Sequence, residues 1–158
     1  MAGMARMGAT RRASSQPPGI DAIGDREQQL RTTGAVFLAA LVIHGADHVR
    51  RGVDVITEVV RTAGAVQAAA GLVAVVLVFR RHRAAPAVAA VVGLVSAAGF
   101  VASHLLPHWS AFSDPFTGSA VAPGVNAFSW FAALFEIAAD LAFGIAAMLV
   151  LWSRHGSR

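Results

Sequence analysis

The sequence predicts an all-α protein: a bundle of four transmembrane helices, preceded by a disordered tail, with a short interfacial helix after the first span. Three observations predict it. Hydrophobic residues make up 56% of the 158-residue chain and charged residues only 14%. Mean hydropathy is +0.59, so most of the chain suits lipid better than water. The apolar residues fall into four runs long enough to cross a bilayer, and most of the arginines flank those runs.

Residues 1–31 are small, polar and mixed in charge, with Ser14, Ser15, Pro17, Pro18 and Gly19 interrupting any period, and they read as a disordered tail. Arg11-Arg12 lies about twenty residues ahead of the first apolar run, too far for an export signal. The first span covers 32–49. Its first half, Gly34 to Ile43, is wholly apolar, but its second half reads His44-Gly45-Ala46-Asp47-His48. Beyond it, Val53, Ile56, Val59 and Val60 recur at helical spacing beside Asp54, Glu58 and Arg61, the pattern of a helix lying at the interface.

The second span, 62–79, is rich in Ala and Gly and carries one strongly polar side chain, Gln67, read as a packing hydrogen-bonder. Arg80-Arg81-His82-Arg83 forces a tight turn into the third span, 85–106. There Pro86 sits in the first turn, where its missing N–H costs little, and Pro107 helps end the helix. Residues 108–125 form a loop marked by Pro115, Gly118, Pro123 and Gly124. Asn126 is suited to cap the fourth span, 127–152. Trp130 and Trp152 bracket that span about 33 Å apart, as interfacial anchors would. Gly64 with Ala68 and Gly93 with Ala97 are small-residue pairs that permit close helix contact. Residues 154–158 form a short end.

Charge sets the expected orientation. All thirteen basic residues are arginine, and their flanking positions, not a basic stripe, account for the sequence pI of 11.5, so nucleic acid is excluded as a partner. The alanine, valine and arginine richness points to a bacterial, GC-rich source. Arginines in the tail, the second loop and the C-terminal end place all three in the cytoplasm by the positive-inside bias, with the 108–125 loop outside. The protein is thus expected to be a multi-pass protein of the cell membrane with both termini cytoplasmic. The first loop conflicts with this, because it carries Arg50, Arg51 and Arg61. The expected partner is the bilayer itself, with self-association into a homo-oligomer left open.

Chemistry, if present, must come from the polar residues inside the spans, since ionised groups facing lipid cost several kcal/mol each. His44, Asp47 and His48 share one face of the first helix, and Glu136 and Asp140 lie one turn apart on the fourth, with Ser129 on the same side. If Thr32 and Trp152 mark the cytoplasmic boundary, His44 and Asp140 lie at a common depth of ~18 Å and His48 and Glu136 at ~24 Å. The first and fourth helices are therefore expected to be neighbours, with His44 facing Asp140 and His48 facing Glu136. Measured from Arg83, His104 falls at ~31 Å, near the outer surface.

Four readings of this cluster compete. The first is structural: interhelical hydrogen bonds, with Asp47 also one turn from Arg51. The second is a metal site built on the His44-x-x-x-His48 pair and completed from Asp47, Glu136, Asp140 and His104. Nitrogen and oxygen donors suit zinc, manganese or iron, and a chain without cysteine disfavours copper(I). The third is a proton relay for coupled transport through His44, His48, Glu136 and Asp140. The fourth is haem held between His104 and His44 or His48, opposed by their unequal expected depths. Nothing marks an enzyme, as there is no serine nucleophile motif and no Gly-rich phosphate loop. Hydrolysis with Glu136 as base toward a metal-bound water is a sub-case of the metal reading.

Two segments, His44-Gly45-Ala46-Asp47-His48-Val49-Arg50-Arg51-Gly52 and Ser103-His104-Leu105-Leu106-Pro107-His108-Trp109-Ser110-Ala111-Phe112-Ser113-Asp114-Pro115-Phe116, resemble parts of small multi-pass membrane proteins of actinobacteria. The resemblance covers the spans and not the tail. It implies a four-helix membrane fold and no particular activity.

Overall fold

The computed structural model describes residues 18–156. Among them four α-helices run up and down in sequence: α1 (Pro18–Arg51), α2 (Glu58–Phe79), α3 (Ala85–Phe100), which continues into a π-helical turn (Val101–Leu105), and α4 (Ala127–Gly156). Each helix packs against its sequence neighbours, and α1 also packs against α4, closing the ring. The α2–α3 turn and the outer ends of α1 and α4 lie at one end, here the terminal end. The 106–126 segment lies at the other, the loop end.

All four helices are long and apolar enough to cross a membrane. Their packing agrees. Val42, Val66, Val73, Val91, Val95 and Ile145 are exposed, whereas His44, Asp47, Arg51, Glu136 and Asp140 are buried. That arrangement reverses the pattern of a water-soluble bundle, and it fits a chain whose solvent is lipid.

Near the terminal end, Leu30, Phe37, Val75, Val78, Phe143 and Val150 pack with a set of buried alanines. Phe37 and Phe143 pack with ring centroids 5.0 Å apart and planes tilted by 31°. Gly93 lets α3 and α4 approach closely: a Cβ there would lie 2.7 Å from the Asp140 carbonyl oxygen and the Gly144 nitrogen. Gly64, the other small residue singled out, has nothing within 4 Å and serves no such contact.

The structure departs from three expectations. Of the tail assigned to disorder, residues 1–17 lie outside the described residues, but Pro18 onward belongs to α1. Leu30 is buried in the core, Arg26 donates to the Leu149 carbonyl at 3.1 Å, and Glu27 pairs with Arg154 at 3.0 Å. Glu, Gln, Arg and Leu are good helix formers, and these contacts with α4 extend the helix past the apolar run. The separate interfacial helix is also absent. Residues 53–57 form turns, and Glu58–Arg61 is simply the first turn of α2. Thr57 stops the chain from turning helical earlier: it is the N-cap, its hydroxyl accepting from the Val60 N–H at 3.2 Å and donating to the Ala111 carbonyl at 3.1 Å. Finally, Trp130 packs edge-on against Phe116, so it grips the loop, while Trp152 is exposed.

Other local signals act as expected. Asn126 caps α4, its side-chain oxygen accepting from the N–H groups of Phe128 at 2.9 Å and Ser129 at 3.3 Å. Pro86 occupies the start of α3.

Candidate metal centre

Spacing of four along α1 points the His44 and His48 imidazoles to one side, and their Nε2 atoms lie 3.1 Å apart. Across the bundle, the π-helical turn at the end of α3 presents a third imidazole, His104. Its ring centroid is 4.9 Å from that of His44 and 6.1 Å from that of His48. One ring nitrogen from each of the three lies within 4.8 Å of the others. His44 and His104 are buried and His48 is partly so. Phe100, one turn before His104, packs edge-on against His44 at 4.8 Å and walls the cluster from below.

The π-helical turn is more than a deviation in the helix. Its wider winding leaves backbone groups free, and the loop takes them up. Asp114 N–H donates to the Ser103 carbonyl at 3.0 Å, Phe116 N–H to the His104 carbonyl at 2.8 Å, Thr117 hydroxyl to the Leu105 carbonyl at 3.1 Å, and the Trp109 indole to the Ala102 carbonyl at 2.7 Å. The loop thus folds down onto the histidines and is held there.

One of these contacts bears on ligation. The His104 Nδ1 lies 2.9 Å from the Asp114 carbonyl oxygen. A carbonyl only accepts, so Nδ1 carries the proton and Nε2 keeps its lone pair for an ion, the arrangement found around metal-ligating histidines. The Asp114 carboxylate is turned to Arg51, which grips it through two hydrogen bonds of 2.7 and 2.6 Å with the whole pair buried. Arg51 also donates to the Pro123 carbonyl and lies 5.5 Å from the Phe116 ring centroid.

Asp47 belongs to the same lattice and not to the imidazole group. Its Oδ1 accepts from Arg50 Nε at 3.0 Å, Arg50 Nη2 at 2.8 Å and the Ser129 hydroxyl at 3.1 Å. Arg50 reaches on to Ser129 and the Gly124 carbonyl. These pairs explain why the arginines of the first loop defied the charge pattern. Arg51 is neutralised inside the protein by Asp114, Arg50 pairs from an exposed position with the buried Asp47, and Arg61 pairs with Glu58 on the surface.

Glu136 and Asp140 are fully buried on the α1-facing side of α4, yet they stand outside the imidazole group. Neither carboxylate hydrogen-bonds to a histidine, so the expected His44–Asp140 and His48–Glu136 pairs do not form. α1 and α4 are neighbours, but their register differs from the expected one. Asp47 meets Ser129, and Phe37 meets Phe143, which places the carboxylates about 10 Å nearer the terminal end than the histidines expected to face them.

The depth assigned to His104 changes for a related reason. The ring centroids of His44 and His104 lie 4.9 Å apart, so the two residues stand at one level in the bundle. The unequal depths that opposed haem therefore disappear. A stronger objection replaces them, since rings in mutual contact at 4.9 Å leave no slot for a macrocycle.

Sequence reasoning included His104 but missed Asp114 and Arg51 as its supports. The signal was present in the two adjacent arginines at the end of an apolar span, on the wrong side for the charge rule. No protein-family model matches this chain, and it matches neither curated proteins nor solved structures.

Proposed function

We propose that this protein binds a divalent metal ion within the membrane, through His44, His48 and His104. It would sit in the cell membrane with both termini cytoplasmic, the orientation the arginines favour, so that the centre lies toward the outside. The observation that carries the reading is the convergence of three imidazole nitrogens from two helices within 4.8 Å. A tetrahedral zinc with Zn–N of about 2.05 Å spaces its nitrogens about 3.3 Å apart. The His44–His48 pair is already at 3.1 Å, and side-chain rotation closes the set.

Three neutral nitrogens suit zinc best among zinc, manganese and iron, and they leave a fourth position for water or an outside ligand. For His104, the Asp114 carbonyl that accepts from its Nδ1–H, itself held by the buried Arg51–Asp114 pair, supplies the orienting partner that such a ligand needs. Transport through the bundle is the weaker reading, because the terminal half is filled by Phe37, Phe143, Val75, Val78 and Val150.

Elemental analysis of the purified protein tests the proposal. The unmutated chain should retain zinc after dialysis, and His44→Ala, His48→Ala or His104→Ala should lower affinity at least about 100-fold while leaving the helical content intact. An unmutated protein that retains no stoichiometric metal sinks it.

A further inference from the structure

Below the imidazoles lies a second group of buried polar side chains. Glu136 and Asp140 are one turn apart on α4, within about 40° of each other around the helix. Both are fully buried, and none of their four carboxylate oxygens has a hydrogen-bond partner. Toward the loop end they are closed off by the Ser129–Asp47–Arg50 contacts, and toward the terminal end by the packed rings of Phe37 and Phe143. On the α3 side, Gly93 lies against the backbone at Asp140. Three residues beyond it, Ser96 is buried and accepts a hydrogen bond from Gln67 at 3.2 Å. A band of oxygen-bearing side chains thus crosses α2, α3 and α4 at one level.

Two uncompensated carboxylates in an apolar bundle are costly. The guanidinium groups nearest in the fold are committed elsewhere, Arg50 to Asp47 and Arg51 to Asp114. Protonation alone is a poor remedy, because each carboxylic acid would carry a buried O–H that itself needs an acceptor. A divalent cation answers both needs: it balances two charges and takes up as many as four oxygens.

We propose that Glu136 and Asp140 form a second cation site, for a hard divalent ion such as manganese or magnesium, separate from the histidine centre. Oxygen-only donors select such ions over the softer ones that imidazole favours. The site stands whether or not the histidines bind metal.

The test uses the full chain in detergent, equilibrated with manganese(II) alone and assayed for bound metal, with infrared difference spectra recorded in parallel. Because manganese also accepts imidazole, the unmutated protein should bind about two ions. The Glu136→Gln/Asp140→Asn double variant should bind about one, and so should the His44→Ala/His48→Ala/His104→Ala triple variant. Manganese should also shift carboxylate stretching bands in the unmutated protein, and the shift should vanish in the double variant. Equal binding by the unmutated protein and the carboxamide variant overturns the proposal. So does a protonated-carboxyl band that persists unchanged at saturating manganese, a readout that needs no variant to fold. If the triple histidine variant loses nothing while the carboxamide variant loses an ion, the histidine centre falls and this site stands.

Discussion

The two halves of this bundle are built on different principles. Toward the terminal end the interior is apolar, with Phe37, Phe143, Val75, Val78 and Val150 among alanines. Lipid tails are as apolar as these side chains, so no hydrophobic force drives the helices together there, and close packing must hold them. Toward the loop end the interior is polar and directional. Asp47, Arg50 and Ser129 join α1 to α4, Arg51 and Asp114 join α1 to the loop, and the loop is stitched to the π-helical turn. One half packs the helices; the other fixes their register and presents three converging imidazoles, the one group of three or more metal-ligating side chains among the described residues.

If that division holds, damage to the two halves should separate stability from metal binding. The largest effect is expected from Arg51→Ala, which leaves Asp114 buried without its partner and should cost about 3–5 kcal/mol. It should also weaken zinc binding about 10–100-fold, because Asp114 positions His104. Thermal unfolding in detergent and zinc titration would read the two effects. Phe143→Ala should cost about 3 kcal/mol in the same unfolding assay and leave zinc affinity unchanged. A loss of zinc affinity there would erase the distinction between the halves.

Gly93→Ala sits at the boundary and should cost about 1–3 kcal/mol, since the new methyl meets backbone that cannot yield. If the carboxylate level is organised by that contact, manganese binding should fall with stability while zinc binding at the histidines persists. Gln67→Leu, which removes only the bond to Ser96, should cost about 0.6 kcal/mol by thermal unfolding.

Much of this was readable before the structure. The four apolar runs, the Asn126 cap, the Pro86 start and the His44–His48 pair all follow from local spacing, and local spacing survives folding. What was not readable depends on register between helices. Periodicity placed Glu136 and Asp140 on the right face of α4 but not at the right height, because α1 starts at Pro18, about four turns before its apolar run, and continues through Glu27, Gln28, Gln29 and Leu30. His104 looked remote from His44 for the same reason. Its role also depends on a π-helical turn and a folded loop, and neither leaves a periodic trace in the sequence. The arginine conflict at the first loop was the exception, a rule broken locally where ion pairs compensate, the Arg51–Asp114 pair of them buried.

The central claim is that three imidazoles share one ion, and X-ray absorption at the zinc edge tests it most directly. Zinc-loaded protein should show three imidazole nitrogens at about 2.0–2.1 Å, with one further light ligand. In His104→Ala the count should drop to two. A zinc shell made of oxygen alone, or one unchanged by removing His104, would contradict the account.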